Sequence, residues 1–173
     1  MIHKKIKNKK IIISGGDGDL AGQIIKNNKF FKITAPNKTI LNILNKQELK
    51  LYLKRIKPDI FIHAAAFTRP MRMHEEFPDI SIETNIIGTS NVVIECMKQN
   101  IKLVYISTDY VYPGVKGNYK EDDSLSPFIG NKDGIYKYGW SKLGGECAVK
   151  IYDNSLIIRL CMSKKPFPHG KAP

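Results

Sequence analysis

Nothing in this chain looks like a membrane span or an export signal. No apolar run approaches the ~18 residues that crossing a bilayer requires. The opening MIHKKIKNKK is basic, but it leads straight into a short apolar strand, with no long apolar stretch and no small-residue cleavage site. Cysteine is scarce. Cys96, Cys147 and Cys161 are odd in number, scattered and without CxxC spacing, which excludes a disulfide framework and a zinc site. They read as reduced thiols of a cytoplasmic protein. Acids are also in short supply, 16 against 28 Lys and Arg, for a formal charge of +12. That excess is mostly lysine spread along the chain among many Ile and Asn residues, the look of an AT-rich coding bias. The basic cluster at positions 4 to 10 has no aromatic platform and no arginine-rich segment beside it, so nucleic acid is not the expected partner. Internal repeats and low-complexity linkers are lacking too.

What is present is an ordinary globular composition, 42% hydrophobic and 25% charged, in 173 residues. That is room for one domain with a proper core. Short apolar runs alternate with helical stretches. Ile11–Ile13 predicts a buried strand ending at Ser14, and positions 19 to 29 a helix. Phe31–Thr34 predicts a second strand. Asn45 with Glu48 predicts a capping box that opens a helix through Ile56, closed by Pro58. Further strands are expected at Asp59–Ile62, Leu103–Ile106 and Leu156–Ile158, with a helix over 80 to 99 and a long polar loop from 109 to about 137. Continuous apolar strands separated by helices predict an α/β fold, a doubly wound parallel sheet covered on both faces.

Two clusters carry chemistry. The first strand runs into Ser14-Gly15-Gly16-Asp17-Gly18-Asp19-Leu20-Ala21-Gly22. Both GxGxxA (from Gly16) and GxxGxxA (from Gly15) fit. At a strand-to-helix junction such glycines allow a tight turn and close approach of a pyrophosphate to a helix N-terminus. Asp17 and Asp19 must then point away from the anion. An acid that would hold a ribose hydroxyl is missing from Ala35-Pro36-Asn37-Lys38; Lys38 would instead meet a 2′-phosphate, which tilts the reading toward NADP over NAD.

The second cluster is Tyr138 and Lys142 in YGWSK, about thirty residues after Ser107-Thr108-Asp109. At i and i+4 on a helix, phenol and ammonium share a face. A fixed positive charge favours the phenolate and brings a tyrosine with an ordinary pKa of about 10 into working range as an acid. Tyr136, six residues from Lys142, lies off that face. His63 reads as a packed strand-end residue, His74-Glu75-Glu76 as a solvated helix end and Trp140 as core or rim packing; no metal site is expected.

Five segments in order, SGGDGDLAG, HAAAFT (63–68), NIIGTSN (85–91), YISTDYVYPG (105–114) and YGWSKLGGE (138–146), resemble the extended short-chain dehydrogenase/reductases, in the branch of dTDP-4-dehydrorhamnose reductase-like sugar-nucleotide enzymes. The resemblance implies a Rossmann fold, a single NAD(P)-binding domain over 1–173, C-terminally truncated relative to the family and without its substrate-binding lobe. It implies Tyr138 as catalytic acid, Lys142 beside it and on the nicotinamide ribose, and Thr108 on the substrate carbonyl, with Ser107 and Asp109 adjacent. It implies Gly15, Gly18, Asp19, Leu20 and Ala21 as the dinucleotide turn, Ala65, Ala66 and Phe67 along the cofactor, and Asn42 and Ile43 near the adenine, although the family usually has Asp at position 42. Between Pro127 and Tyr138 the loop is longer than the family's usual Pro-x-Asn-x-Tyr. The implied activity is reduction of a 4-keto-deoxysugar nucleotide with NAD(P)H. The alternatives are an epimerase/reductase of the same superfamily and a non-catalytic or regulatory dinucleotide-binding relative. The expected partners are a nucleotide-sugar substrate and either a second copy or a chain supplying the missing lobe.

Overall fold

A computed structural model describes residues 9–68, 70–127 and 136–161. The first eight residues, the loop segment 128–135 and the tail from 162 lie outside the described residues, and with them most of the N-terminal basic cluster and the extra loop length before Tyr138.

Five parallel strands form one sheet in the order β2-β1-β3-β4-β5. They are β1 (Lys10–Ser14), β2 (Lys32–Thr34), β3 (Ile60–His63), β4 (Lys102–Thr108) and β5 (Ser155–Leu160). The apolar runs form strands because β-branched side chains pack well on a pleated surface, and the central β1 is buried from Ile11 to Ser14. Register follows from that burial: Ile12 pairs with Phe61 and with Thr34, and Phe61 with Leu103. Helices cover both faces. α1 (Asp19–Asn27) covers one, packing Ala21 against Ile11 and Ile13. On the other, α2 (Lys46–Ile56), α5 (Thr89–Gln99) and α6 (Lys137–Lys150) close a larger core around Ile12, Leu49, Leu53, Phe61, Val92, Leu103 and Tyr105. The doubly wound α/β expectation is met. Strand order reverses between β1 and β3, and in open parallel sheets the ligand crevice lies outside the carboxyl ends of the strands at such a point.

Local details differ from the sequence pattern in two places. The stretch expected as one helix over 80 to 99 is a composite. Two short helices, α3 (Arg72–Glu76) and α4 (Pro78–Ser81), precede a π-helical segment, Ile82–Gly88, that leads into α5. The wider winding shifts the apolar pattern off a 3.6 period. The capping box at α2 is half formed. Asn45 accepts from the Glu48 N–H at 3.1 Å, but the Glu48 carboxylate takes the N–H of Asn42, at 3.4 Å, in place of Asn45.

Candidate functional site

The turn after β1 is shaped by its neighbours. Gly15 has φ +76°, and a Cβ there would lie 2.9 Å from Ala65 Cα, so the turn from β1 sits flush against the segment that follows β3. The Gly16 N–H donates to the Pro36 carbonyl at 3.0 Å and ties the turn to the end of β2. Gly18 is the N-cap of α1 and carries no side chain to cap it. No N-cap side chain therefore stands over the first turn of α1, and a helix N-terminus of this kind favours an anion such as a pyrophosphate. Asp17 and Asp19 are exposed, Leu20 is half-buried, and Ala21 is packed under β1. Lys38 is exposed beyond the end of β2.

Beneath the crevice lies a polar chain that the sequence did not disclose. Ser14 Oγ accepts from the N–H groups of Ala64 and Ala65, each at 3.2 Å. The same oxygen bonds His63 Nδ1 at 2.9 Å, and His63 Nε2 bonds Thr89 Oγ1 at 3.1 Å. Burial, reinforced by the Lys142 charge, pulls the His63 pKa down to about 3, so the ring is neutral and locked between two hydroxyls.

At the end of β4, Thr108 Oγ1 donates to Asp109 Oδ1 at 3.0 Å and accepts from the Tyr110 N–H at 3.3 Å. Ser107 Oγ is buried and has no hydrogen-bond partner among the described residues. Helix α6 closes over this strand end. A Cβ on Gly139 would lie 2.4 Å from the Tyr110 carbonyl, so Tyr138 and Gly139 lie directly against the 3₁₀ turn Asp109–Val111 that follows Thr108. Tyr138 is buried, its ring 5.8 Å from that of Tyr110 and 4.9 Å from that of His74. Lys142 is buried too. Its Nζ donates to the Ile106 carbonyl at 2.8 Å and lies 4.2 Å from the centre of the Tyr105 ring. Burial lowers its pKa to about 7, while Glu146 pulls the other way.

Three contacts from distant sequence hold α6 in place. The Glu75 carboxylate accepts the N–H groups of Tyr136 (3.1 Å) and Lys137 (2.9 Å) at a helix start whose own N-cap side chain offers no bond. Lys137 Nζ in turn donates to the Glu75 carbonyl at 2.9 Å. Asn85, in the π-helical segment, exchanges hydrogen bonds with the backbone of Phe67 and donates to Ser141 Oγ at 2.9 Å. Glu146, fully buried, makes a two-pronged ion pair with Arg159 of β5 at 3.0 and 2.8 Å.

The solvated helix end expected at His74-Glu75-Glu76 holds for the exposed Glu76 and is corrected for the other two. The His74 ring is fully buried between Phe67 and Tyr138 and bonded to Ser81 Oγ at 2.7 Å, and Glu75 caps the helix that carries Tyr138. Short-range pattern gives no hint of this, because the partners lie 61 and 62 residues away. No group of three or more His, Cys, Asp or Glu among the described residues is placed to hold a metal ion.

The structure therefore brings the glycine turn, the Ala65–Phe67 segment, the Ser107–Asp109 strand end and the Tyr138/Lys142 helix to one end of the sheet. Asn42 and Ile43 lie between β2 and α2. Asn42 Oδ1 accepts from the Leu44 N–H at 3.0 Å, and the Ile43 side chain is in the core beside Gly88, with its carbonyl bonded by Asn91.

Residues 9–162 match the family model for the RmlD substrate binding domain. The dTDP-4-dehydrorhamnose reductase of Aggregatibacter actinomycetemcomitans is 28% identical over 155 residues, which cover 87% of this chain and 50% of that protein. Methionine adenosyltransferase 2 subunit beta of Bos taurus is 29% identical over 153 residues, covering 83% and 43%. Among solved structures, dTDP-4-dehydrorhamnose reductase of Bacillus anthracis in complex with NADP superposes with a TM-score of 0.80 at 33% identity, over 88% of this chain and 53% of that one. The chain spans about half the length of the relatives it matches.

Proposed function

This chain belongs to the RmlD substrate binding domain family, and from that premise we propose that it binds NAD(P)H and reduces the 4-keto group of a deoxysugar carried on a nucleoside diphosphate. The observation that carries the reading is the meeting of a Tyr–Lys pair on α6 with the Thr108 strand end, on the same end of the sheet as a glycine turn that leads into the N-terminus of α1.

Gly15, Gly18, Asp19, Leu20 and Ala21 would hold the pyrophosphate, and Ala65, Ala66 and Phe67 would flank the cofactor beyond it. When bound, the nicotinamide supplies the hydride. The residues of this chain supply the proton and the polarisation. Tyr138 releases its phenolic proton to the carbonyl oxygen as negative charge develops there, and the Lys142 ammonium stabilises the phenolate left behind. Thr108 turns its hydroxyl from Asp109 toward the same oxygen. Ser107, whose buried hydroxyl has no hydrogen-bond partner among the described residues, and Asp109 are the substrate-side groups. The choice of NADP over NAD rests on Lys38 and on the missing acid in residues 35–38; the Bacillus anthracis relative was solved with NADP. A sugar nucleotide also requires groups beyond those described. We place the protein in the cytoplasm.

A second reading follows from its likeness to a methionine adenosyltransferase subunit: dinucleotide binding without sugar turnover. An epimerase/reductase remains a variant of the first. The test is oxidation of NADPH and NADH, followed at 340 nm, with 4-keto-deoxysugar nucleotides as acceptors. The first reading predicts turnover that Tyr138→Phe abolishes while cofactor binding persists. Saturable cofactor binding without turnover on any such acceptor supports the second reading and overturns the first.

A further inference from the structure

We propose that Tyr105 is a positioning residue for Lys142: its ring face and the Ile106 carbonyl together form the seat that holds the Lys142 ammonium beside Tyr138. The proposal rests on the reading above only in taking Lys142 as the working partner of Tyr138.

The ammonium has three protons to satisfy. One goes to the Ile106 carbonyl at 2.8 Å. No carboxylate among the described residues forms an ion pair with Nζ. Glu146, one turn further along α6, has both oxygens on Arg159. What Nζ does face, at 4.2 Å, is the π surface of Tyr105, a distance at which the ring quadrupole attracts a cation and does so more strongly where water is excluded.

The ring is fixed from every side. It stands in the middle of β4 and is fully buried. Its hydroxyl reaches under α6 toward the Lys142 carbonyl at 3.4 Å. That reach exists only because position 145 is glycine, where a Cβ would lie 2.4 Å from the Tyr105 oxygen. On the β3 side the His63 ring flanks it at 5.6 Å, neutral and anchored by Ser14 and Thr89. The titratable and charged groups around Lys142 are thus His63 from β3, Tyr105 from β4, Tyr138 and Glu146 from α6, and Arg159 from β5 through Glu146.

An aromatic face suits this task where a carboxylate would not. A carboxylate would neutralise the ammonium and leave little net field at the phenol of Tyr138. A ring attracts the cation without accepting its proton and leaves the positive charge to act elsewhere. Burial pushes the Tyr105 hydroxyl upward, so it stays a neutral phenol and does not become a competing anion.

The test replaces Tyr105 with phenylalanine and with mono-, di- and trifluorophenylalanine in the intact chain. Lys142 titration is read by NMR of ¹³Cε-labelled lysine, with the signal assigned by its loss in Lys142→Met. Fluorine withdraws charge from the ring face at little change in shape. The expected result is a Lys142 midpoint close to the parent's with phenylalanine, falling stepwise with each fluorine by roughly 0.5 to 1.5 pH units over the series. A midpoint that does not move across the series reduces Tyr105 to core filling and overturns the proposal. The readout needs neither cofactor nor sugar. A protein that fails to reduce sugar nucleotides but shows the stepwise fall loses the proposed activity and keeps this inference.

Discussion

Replacing Lys142 with methionine should stabilise the protein at mildly acidic pH while removing the group on which its chemistry depends. The side chain is buried and its pKa is drawn from 10.5 to about 7, chiefly by burial. Each unit corresponds to ~1.4 kcal/mol, so the charged form costs the fold roughly 5 kcal/mol below pH 7. Methionine has similar length and no charge, but it cannot donate to the Ile106 carbonyl, and that loss takes back about 1–3 kcal/mol. The expected net gain is about 2–4 kcal/mol at pH 6. The sign with pH follows from proton counting. Between about pH 7 and 10.5 the unfolded chain keeps the lysine proton and the native state has released it, so the parent gains stability as pH rises. Lys142→Met has no such gain, and its advantage should shrink to nothing by pH 10. Urea unfolding of both proteins at pH 6, 8 and 10 measures this. A variant less stable at pH 6, or an advantage independent of pH, refutes the reasoning. The confirmed result would mean that the cation is kept at the expense of stability, as expected of a functional site.

Other perturbations follow from the same contacts. Glu75→Gln should destabilise by about 1–2 kcal/mol at pH 7, because two backbone N–H groups at the start of α6 lose a charged acceptor; urea melts read the loss, and turnover should fall with little change in cofactor affinity. Arg159→Met leaves the Glu146 carboxylate buried and unpaired and should cost about 3–5 kcal/mol, much of it recovered in the Glu146→Gln/Arg159→Met double variant. His63 is held neutral, with its pKa lowered to about 3. The unfolded state therefore binds one more proton as pH falls from 6.5 toward 3, and native stability drops across that window. His63→Gln, which keeps a hydrogen-bonding amide between Ser14 and Thr89, should flatten the pH dependence of the urea midpoint between pH 6 and 4.

The parts legible in the sequence were those with short-range signatures. Ile11–Ile13 and Leu103–Ile106 could only be buried strands, and their parallel pairing followed from the helices between them. Tyr138 and Lys142 announced a shared helix face through their spacing. The strand ends were less legible: β4 runs on through Thr108 because Ser107 and Thr108 continue the ladder to β5, opposite Arg159 and Leu160. What the sequence concealed is long-range. Tyr105 meets Lys142 across 37 residues, Glu75 meets α6 across 61, and Asn85 meets Ser141 across 56. Each contact exists because parallel crossovers bring separate elements to one end of the sheet, and no local period encodes that. Glycine weakens a helix, and at position 145 the Tyr105 hydroxyl occupies the space a methyl group would take.

The proposed function requires a dinucleotide on the glycine turn with its nicotinamide end reaching the Tyr138/Lys142 helix. Trp140, the single tryptophan, stands between those two residues and serves as the donor for energy transfer to NADPH. Saturable quenching of Trp140 emission with matching sensitised NADPH fluorescence is expected, both abolished by Gly18→Asp at the head of α1. Absence of energy transfer at millimolar NADPH and equally unquenched Trp140 at millimolar NADH would contradict it.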